Sequence, residues 1–375
     1  MDTRHLRSAL ASGAITRRDA AKAMAAAGVG VATFAHGTRR ANAAGEILHF
    51  GWSGYDDPGL MASYIEKYGG APEFSFWGTE DEAFQKIKTG GFKPDTSAPC
   101  TYEVRKWYDG GIVKELDESR LVNVADLFDS LKTIEGSVVD GKRIYHPMDW
   151  GNSTVIYRTD LVDPEYNEQN SWAVMYDERY KGRLAFYDSA GAVVEIAALM
   201  AGFSREEIFS LSEEQLAQVR PIIQKQRDIL RFYWNDVTEI DQALAAGEIV
   251  AAYGWNESYV RLKKEGVPVG LMVPKEGIFT WCCGLLMHPW VQNEDAAYDL
   301  INAYTSPETG AYEIANWGYG HANKKAFELV DPAKLEELGF TTPEALLNAG
   351  IFFKALDPAI EESYIRLFEE VKAGA

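Results

Sequence analysis

The chain is short of positive charge. It carries 37 Lys and Arg against 56 Asp and Glu, a net charge of -19 at pH 7. Such a surface repels a phosphate backbone, which argues against nucleic acid as a partner. Cysteine is scarce: there are three, Cys100, Cys282 and Cys283. They form no CxxC pair, which argues against a structural zinc site. Three is odd, so at least one thiol is free or pairs between molecules. HExxH, GxSxG and the P-loop are missing, as is GxGxxG beyond residue 44. The common signatures of hydrolases and nucleotide-binding enzymes are therefore absent. No run after residue 44 is apolar and long enough to make a transmembrane helix.

What the chain does have begins with an export segment. Thr16-Arg17-Arg18-Asp19 is a twin-arginine signature, followed by an apolar stretch from Ala23 to Ala35. Ala41-Asn42-Ala43 is a small-x-small cleavage site. The apolar stretch is too short to span a bilayer comfortably. Residues 1–44 are expected to be cut off near Ala43 or Ala44, leaving a periplasmic protein exported by the twin-arginine route. They hold seven Lys and Arg and two Asp and Glu, so their loss takes the net charge to -24. The periplasm permits disulfides. A length of 375 residues suits two domains or one large one, and 46% apolar residues is ample for a core.

The stretch from Gly247 to Cys283 is the most informative. Ile249 to Trp255 reads as a buried strand, and Glu257 to Glu265 as a helix stopped by Gly266. Pro268 to Val273 is a second strand, and Gly277 to Trp281 reads as a turn. Trp255 and Trp281 thus fall at the ends of successive strand units. One such indole is ordinary core. Two, with polar Asn256 and Thr280 beside them, suit a ligand crevice at strand ends. The flanks alternate in the same way, with strands at Ile47 to Trp52, Glu73 to Trp77, Asp95 to Pro99, Ser153 to Tyr157, Leu184 to Tyr187 and Leu285 to His288. Helical segments lie between them. The pattern predicts βαβ units and a mostly parallel sheet. Trp77, Trp107, Trp172 and Trp290 read as packing residues, and His49 and His288 as structural histidines.

In their order, these segments resemble the periplasmic spermidine/putrescine-binding proteins of ABC importers. The matching pieces are Trp255-Asn256 at a strand end, then Pro274-Lys275-Glu276-Gly277 and an aromatic segment. Trp52-Ser53 ends the opening strand. Pro99-Cys100-Thr101-Tyr102 stands where that family has Pro-Ser-x-Tyr. Pro147 to Gly151 resembles its Pro-x-x-Trp-Gly segment, Trp172 to Lys181 one of its helices, and Gly318 to Asn323 its Gly-Tyr-x-x-x-Asn. The likeness covers nearly the whole chain after residue 44.

The resemblance implies an α/β, two-lobed periplasmic binding protein fold. Each lobe is a central mixed sheet flanked by helices, with the ligand in the cleft between lobes. Lobe one takes 45–150 plus 281–323, and lobe two 151–280 plus 324–375. Crossings fall near Gly151, Lys275 to Thr280, and Asn323-Lys324. The partners implied are the permease subunits of an ABC transporter, and the protein itself is read as a monomer. No catalytic residue, cofactor or metal is part of this reading.

Carried over residue by residue, the pocket is Trp52, Ser53, Cys100, Tyr102, Ser189, Ala192, Trp255, Trp281, Cys283, Tyr319 and Lys354, with Tyr55 nearby. The aromatics of the family are kept. Its three acids become Ser189, Ala192 and Cys283, and a glutamine becomes Lys354. Asp149, Asp188 and Asp236 lie near strand ends and could restore amine recognition. The expected ligand is a small amine-containing solute: polyamine-like, a quaternary ammonium or a zwitterion, with a zwitterion or monoamine preferred to a long polyamine because the matched acids are absent. Lys354 and His321 could meet an anionic group. One alternative is a genuine spermidine/putrescine binder with relocated acids. Another is a soft-metal or redox protein using Cys100, Cys282 and Cys283. The vicinal cysteines read as small residues where bulk would clash. A Cys100–Cys283 disulfide stays open, since both match positions on one pocket wall.

Overall fold

Two long strands run through the middle of the protein. In the computed structural model, which describes residues 47–340 and 343–374, both are buried along nearly their whole length. The export segment and its cleavage site lie outside the described residues. In chain order the strands are β1 Leu48–Trp52, β2 Glu73–Trp77, β3 Thr96–Ser97, β4 Val138–Val139, β5 Lys142–Arg143, β6 His146–Arg158 and β7 Leu184–Tyr187. There follow β8 Phe232–Trp234, β9 Ala251–Trp255, β10 Val269–Leu271, β11 Phe279–Met287, β12 Gly320–His321 and β13 Ile351–Phe352.

β6 and β11 are the long pair. They run antiparallel, from Phe279↔Ser153 to Leu285↔His146. β9 adds to the far side of β6, with β7 and β8 parallel beyond it. The last residues of β11 turn to β3, and β1 and β2 follow in parallel. The order is β2-β1-β3-β11-β6-β9-β7-β8, a mixed sheet that β11 carries from one half to the other.

Sequence patterning saw only pieces of the long pair, because Pro147 and Gly151 look like breakers. Pro147 is tolerated through an irregularity. The register slips between Cys283 and Gly284, so Pro147 faces a glycine. Gly151 is opposite Trp281, and a Cβ there would lie 2.3 Å from the indole. Its hydrogen is what lets the ring lie across the neighbouring strand. Trp281 is therefore inside a strand, where a turn was expected. The segment from Trp172 to Lys181 also differs. It forms two 3-10 turns, Trp172–Tyr176 and Glu178–Tyr180, in place of a helix. Asp177 separates them, its carboxylate accepting from the Arg179 N–H at 2.9 Å.

The flanking helices form where caps and apolar spacing place them. Helix Pro307–Trp317 starts at Ser306, which accepts from Thr309 N, and ends at left-handed Gly318. One large core surrounds Val155, Trp172, Phe186 and Tyr253 and takes in Tyr364 and Phe368 of the C-terminal helix. Two others lie under β1 and the end of β11, around Leu60, Tyr64 and Ile301, and around Phe50, Trp107 and Leu286. A fourth joins Leu127 and Trp150 to Ala326, Phe340 and Leu347. Among the described residues no helix is long and apolar enough to cross a membrane.

Candidate functional site

The cores meet at an aromatic cluster on the middle of β11. Cys100, Trp281, Cys283 and Tyr319 are its buried members, with Tyr102, Trp255, Trp317 and Phe353 packed around them. Strand alternation explains Trp281 and Cys283, which share one face of β11. Cys282 points the other way, into the core around Trp150. Cys100 lies directly across from Cys283 in an antiparallel bridge, and the two form a disulfide. The three cysteines therefore cannot converge on one ion, which removes the geometry a soft-metal site would need.

The Trp281 indole meets Tyr319 edge to face at 4.7 Å, and among the described residues its N–H has no hydrogen-bond partner. Trp255 packs on Tyr187 and Trp234 at 5.4 and 5.1 Å, and its N–H donates to Ser153 Oγ at 3.1 Å. Tyr102 meets Phe353 at 5.7 Å. A cavity of about 270 Å³ opens beside this pair, lined also by Thr101, Ser130, Glu135 and Lys354. That is room for a small solute, just under the usual range for drug-sized ligands.

Carboxylates surround the aromatics. Glu80 is buried, accepts the Cys100 N–H at 2.5 Å and takes the Tyr102 hydroxyl. Burial first, then the nearby Glu103, pushes it up to about 8. Glu257 takes the Tyr319 hydroxyl and is raised by burial, against the pull of Arg261 at 3.8 Å. Asp149 accepts from the Tyr55 hydroxyl and is pushed up to about 6 by burial. Glu313 lies beside it and is raised well above the usual range by burial and by that neighbouring charge. Glu195 is buried and stands at about 8 through desolvation alone.

Of the residues expected at the site, the structure brings together Cys100, Tyr102, Trp255, Trp281, Cys283 and Tyr319. Tyr55 joins their edge through Trp317, at 5.2 Å, and carries Asp149 with it. Trp52 packs on Trp77 at 5.7 Å and Ser53 is exposed beside it. Ser189 caps the helix Ala190–Ala201. Asp188 is engaged with Lys372 at 2.6 Å, and Lys354 with Glu206 at 2.5 Å. Asp236 caps a helix through Thr238 N at 2.9 Å. His321 is buried and held near 4, with both ring nitrogens bonded to backbone. A neutral, fully bonded imidazole offers no charge to an anion.

Sequence reasoning missed Glu80, Glu257 and Glu313 beside the aromatic residues, and Glu195, whose carboxylate lies by Gly191. Glu195 had a visible signal, being the single charge in the apolar helix AGAVVEIAALMA. His49 and His288 are structural as expected, bonded to Thr96 and Ser97 at 2.9 and 2.8 Å.

The mixed sheet, with β11 continuing from β6 to β3 and helices packed on it, is that of a class, the two-lobed periplasmic binding protein fold. The family model for bacterial extracellular solute-binding proteins matches residues 71–339, and the chain belongs to that family. Among curated proteins it is 25% identical over 336 residues to the spermidine/putrescine-binding periplasmic protein of Escherichia coli, covering 88% of this chain and 92% of that one. A solved structure of the spermidine/putrescine ABC transporter substrate-binding protein PotD from Streptococcus pneumoniae matches with a TM-score of 0.73 at 20% identity. That match covers 88% of this chain and 98% of the other. MotA from A. tumefaciens in complex with glucopine matches with a TM-score of 0.70 at 16% identity, covering 87% and 99%.

Proposed function

We propose that the protein captures a small amine-containing solute outside the cytoplasmic membrane and presents it to the permease subunits of an ABC importer. It binds as a monomer and does no chemistry on its ligand. The observation that carries this reading is the aromatic cluster of Tyr102, Trp255, Trp281 and Tyr319 on a disulfide-braced wall, ringed by buried carboxylates. Aromatic faces and carboxylates together are what an ammonium group needs when it leaves water. The likeness to a protein named for spermidine and putrescine supports the same ligand class. A ligand with two ammonium groups is favoured over a single quaternary one by the number of acids present.

In this reading the lobes are 45–150 plus 281–323 and 151–280 plus 324–375, and β6 and β11 bend at the cluster as the cleft closes. The cluster residues, with Trp52, Ser53, Tyr55, Asp149, Ser189 and Lys354, line that cleft. Lys354 and Glu206 are an exposed pair of small energetic weight, so Lys354 is still able to turn to a ligand.

The reading is tested by thermal shift with amines, betaines and ω-amino acids. One class should raise the midpoint by mass action. Trp255→Ala should then weaken binding by about 1–3 kcal/mol beyond any effect on folding, as for a buried aromatic anchor. Unchanged affinity in a folded Trp255→Ala protein would make that indole core alone.

Export by the twin-arginine route belongs to the same proposal, resting on Arg17 and Arg18. Replacing both by lysine should leave precursor in the cytoplasm, read by fractionation. Normal export of that double variant would contradict the route.

A further inference from the structure

We propose that Glu195 provides the carboxylate that receives a primary or secondary ammonium group of the ligand, at the N-terminal end of helix Ala190–Ala201. The inference rests on the proposed function and names the group that gives the site its charge preference.

Placement comes first. Side chains on a helix lean toward its N-terminus, over the preceding turn. Four residues back from Glu195 is Gly191, which has no side chain to cover that turn. A Cβ at Gly191 would lie 3.4 Å from Glu195 Oε1 and 4.0 Å from Ser189 Oγ. The carboxylate therefore lies close to Gly191 at the partly exposed start of the helix, the turn that Ser189 caps. β7 delivers the chain here, and its Tyr187 packs on Trp255 of the aromatic cluster.

Among the described residues Glu195, like Glu313 beside Asp149, has no cation to answer its charge, and it differs from Glu313 in having no second acid with which to share a proton. Asp188 has Lys372, Glu257 has Arg261, and Glu103 has Lys106 at 3.5 Å. Glu80 has the Cys100 N–H and the Tyr102 hydroxyl, and Asp149 has Tyr55. Glu195 is 3% exposed, and among the described residues its Oε2 has no hydrogen-bond partner. The tyrosines that face it are committed elsewhere. Tyr364 donates to Ile208 O at 2.7 Å, and Tyr253 bonds with Ser153 and Trp255. Both hydroxyls stay neutral.

An unpaired buried carboxyl is costly, and an apolar residue would suit this helix better as structure. A bare helix N-terminus attracts anions. A carboxylate standing on it reverses that preference. Glu195 and Ser189 together offer acceptors to N–H donors, which a quaternary ammonium lacks.

The test is calorimetric titration of the folded, leader-free protein with putrescine, γ-aminobutyrate and glycine betaine. Glu195→Gln should weaken putrescine by about tenfold or more, since a buried ammonium then loses its charged partner. The ligand-free thermal midpoint at pH 7 should stay equal or rise. Wild-type binding should also release more protons than the variant's, read from enthalpies in buffers of different ionisation heat. The second variant is Gly191→Ala. Alanine favours the helix, so stability should rise, while its methyl group, in van der Waals contact with the carboxylate at 3.4 Å, covers the approach to it and lowers putrescine affinity severalfold. Opposite signs in those two readings support the assignment. Putrescine binding that needs Trp255 but is unchanged in both variants overturns the role of Glu195 alone. No heat from any probe with the wild-type protein overturns the amine reading and this assignment together.

Discussion

Reduction of the Cys100–Cys283 disulfide is expected to lower stability by about 2–5 kcal/mol. The bond joins residues 183 apart in sequence, so it closes a very long loop. Loop-closure entropy grows with length, which places this bond toward the upper end of that range. Typical net stabilities are about 5–15 kcal/mol, so the loss is a large fraction of the whole. The bond also ties the Cys100 loop to β11 beneath Trp281 and Tyr319, so its loss loosens the wall of the site. Urea unfolding with and without reductant reads the effect. Thiol titration in denaturant should find one thiol before reduction, Cys282, and three after it. Equal midpoints in the two conditions would mean that the bridge contributes nothing.

The second large effect is with pH. Glu80 and Glu195 stand at about 8 in the folded protein and Glu103 at about 7, against an ordinary 4.5. Glu313 is raised in the same direction. Each holds its proton more tightly folded than unfolded. Their stabilisation is complete below pH 4.5 and is lost as pH rises through the folded values. The buried histidines act in the opposite sense. His49 is held at about 3, and His146, His288 and His321 at about 4, against 6.5. Their contribution is present above pH 6.5 and lost below it. Between pH 6.5 and 8 the unfolded histidines shed their remaining protons, a partial offset, while the acids hold more protons folded than unfolded and set the sign of the slope. Stability should fall across that window, on the order of 1–3 kcal/mol, at roughly 1.4 kcal/mol per pH unit for each extra proton bound. Denaturant midpoints at several pH values measure it, and Glu195→Gln should flatten the slope by its share. A midpoint that rises from pH 6.5 to 8 would contradict the burial of these acids.

The aromatic half of the site was legible in the sequence because its residues sit at recognisable places. Trp255 ends a strand before a helix, Tyr102 follows Pro99-Cys100, and Tyr319 follows a helix-stopping Gly318. The acidic half was not. Matching one position at a time finds no acid at Ser189, Ala192 or Cys283. It cannot see that Glu195 reaches the same turn from below, or that Glu80 arrives from another helix. Salt bridges were equally hidden. Asp188 and Lys354 look available in sequence, and only the fold brings Lys372 and Glu206 to them. The sheet was legible in its order of elements but not in its long strands, and it is not mostly parallel as expected: β6 pairs antiparallel with β11, β9, β10 and β12. Pro147 and Gly151 break the pattern locally, and the reason they do not break β6 lies on β11. The cysteine pairing stayed open for a similar cause. It depends on Cys100 lying opposite Cys283, a register between segments far apart in the chain.

The measurement closest to the central claim is direct titration of the purified, leader-free protein with putrescine, spermidine, γ-aminobutyrate and glycine betaine at pH 7. The account predicts saturable one-to-one binding of at least one ligand bearing a primary ammonium, micromolar or tighter, with the betaine weakest. Saturable binding of the betaine alone, or of none of the four, would contradict it.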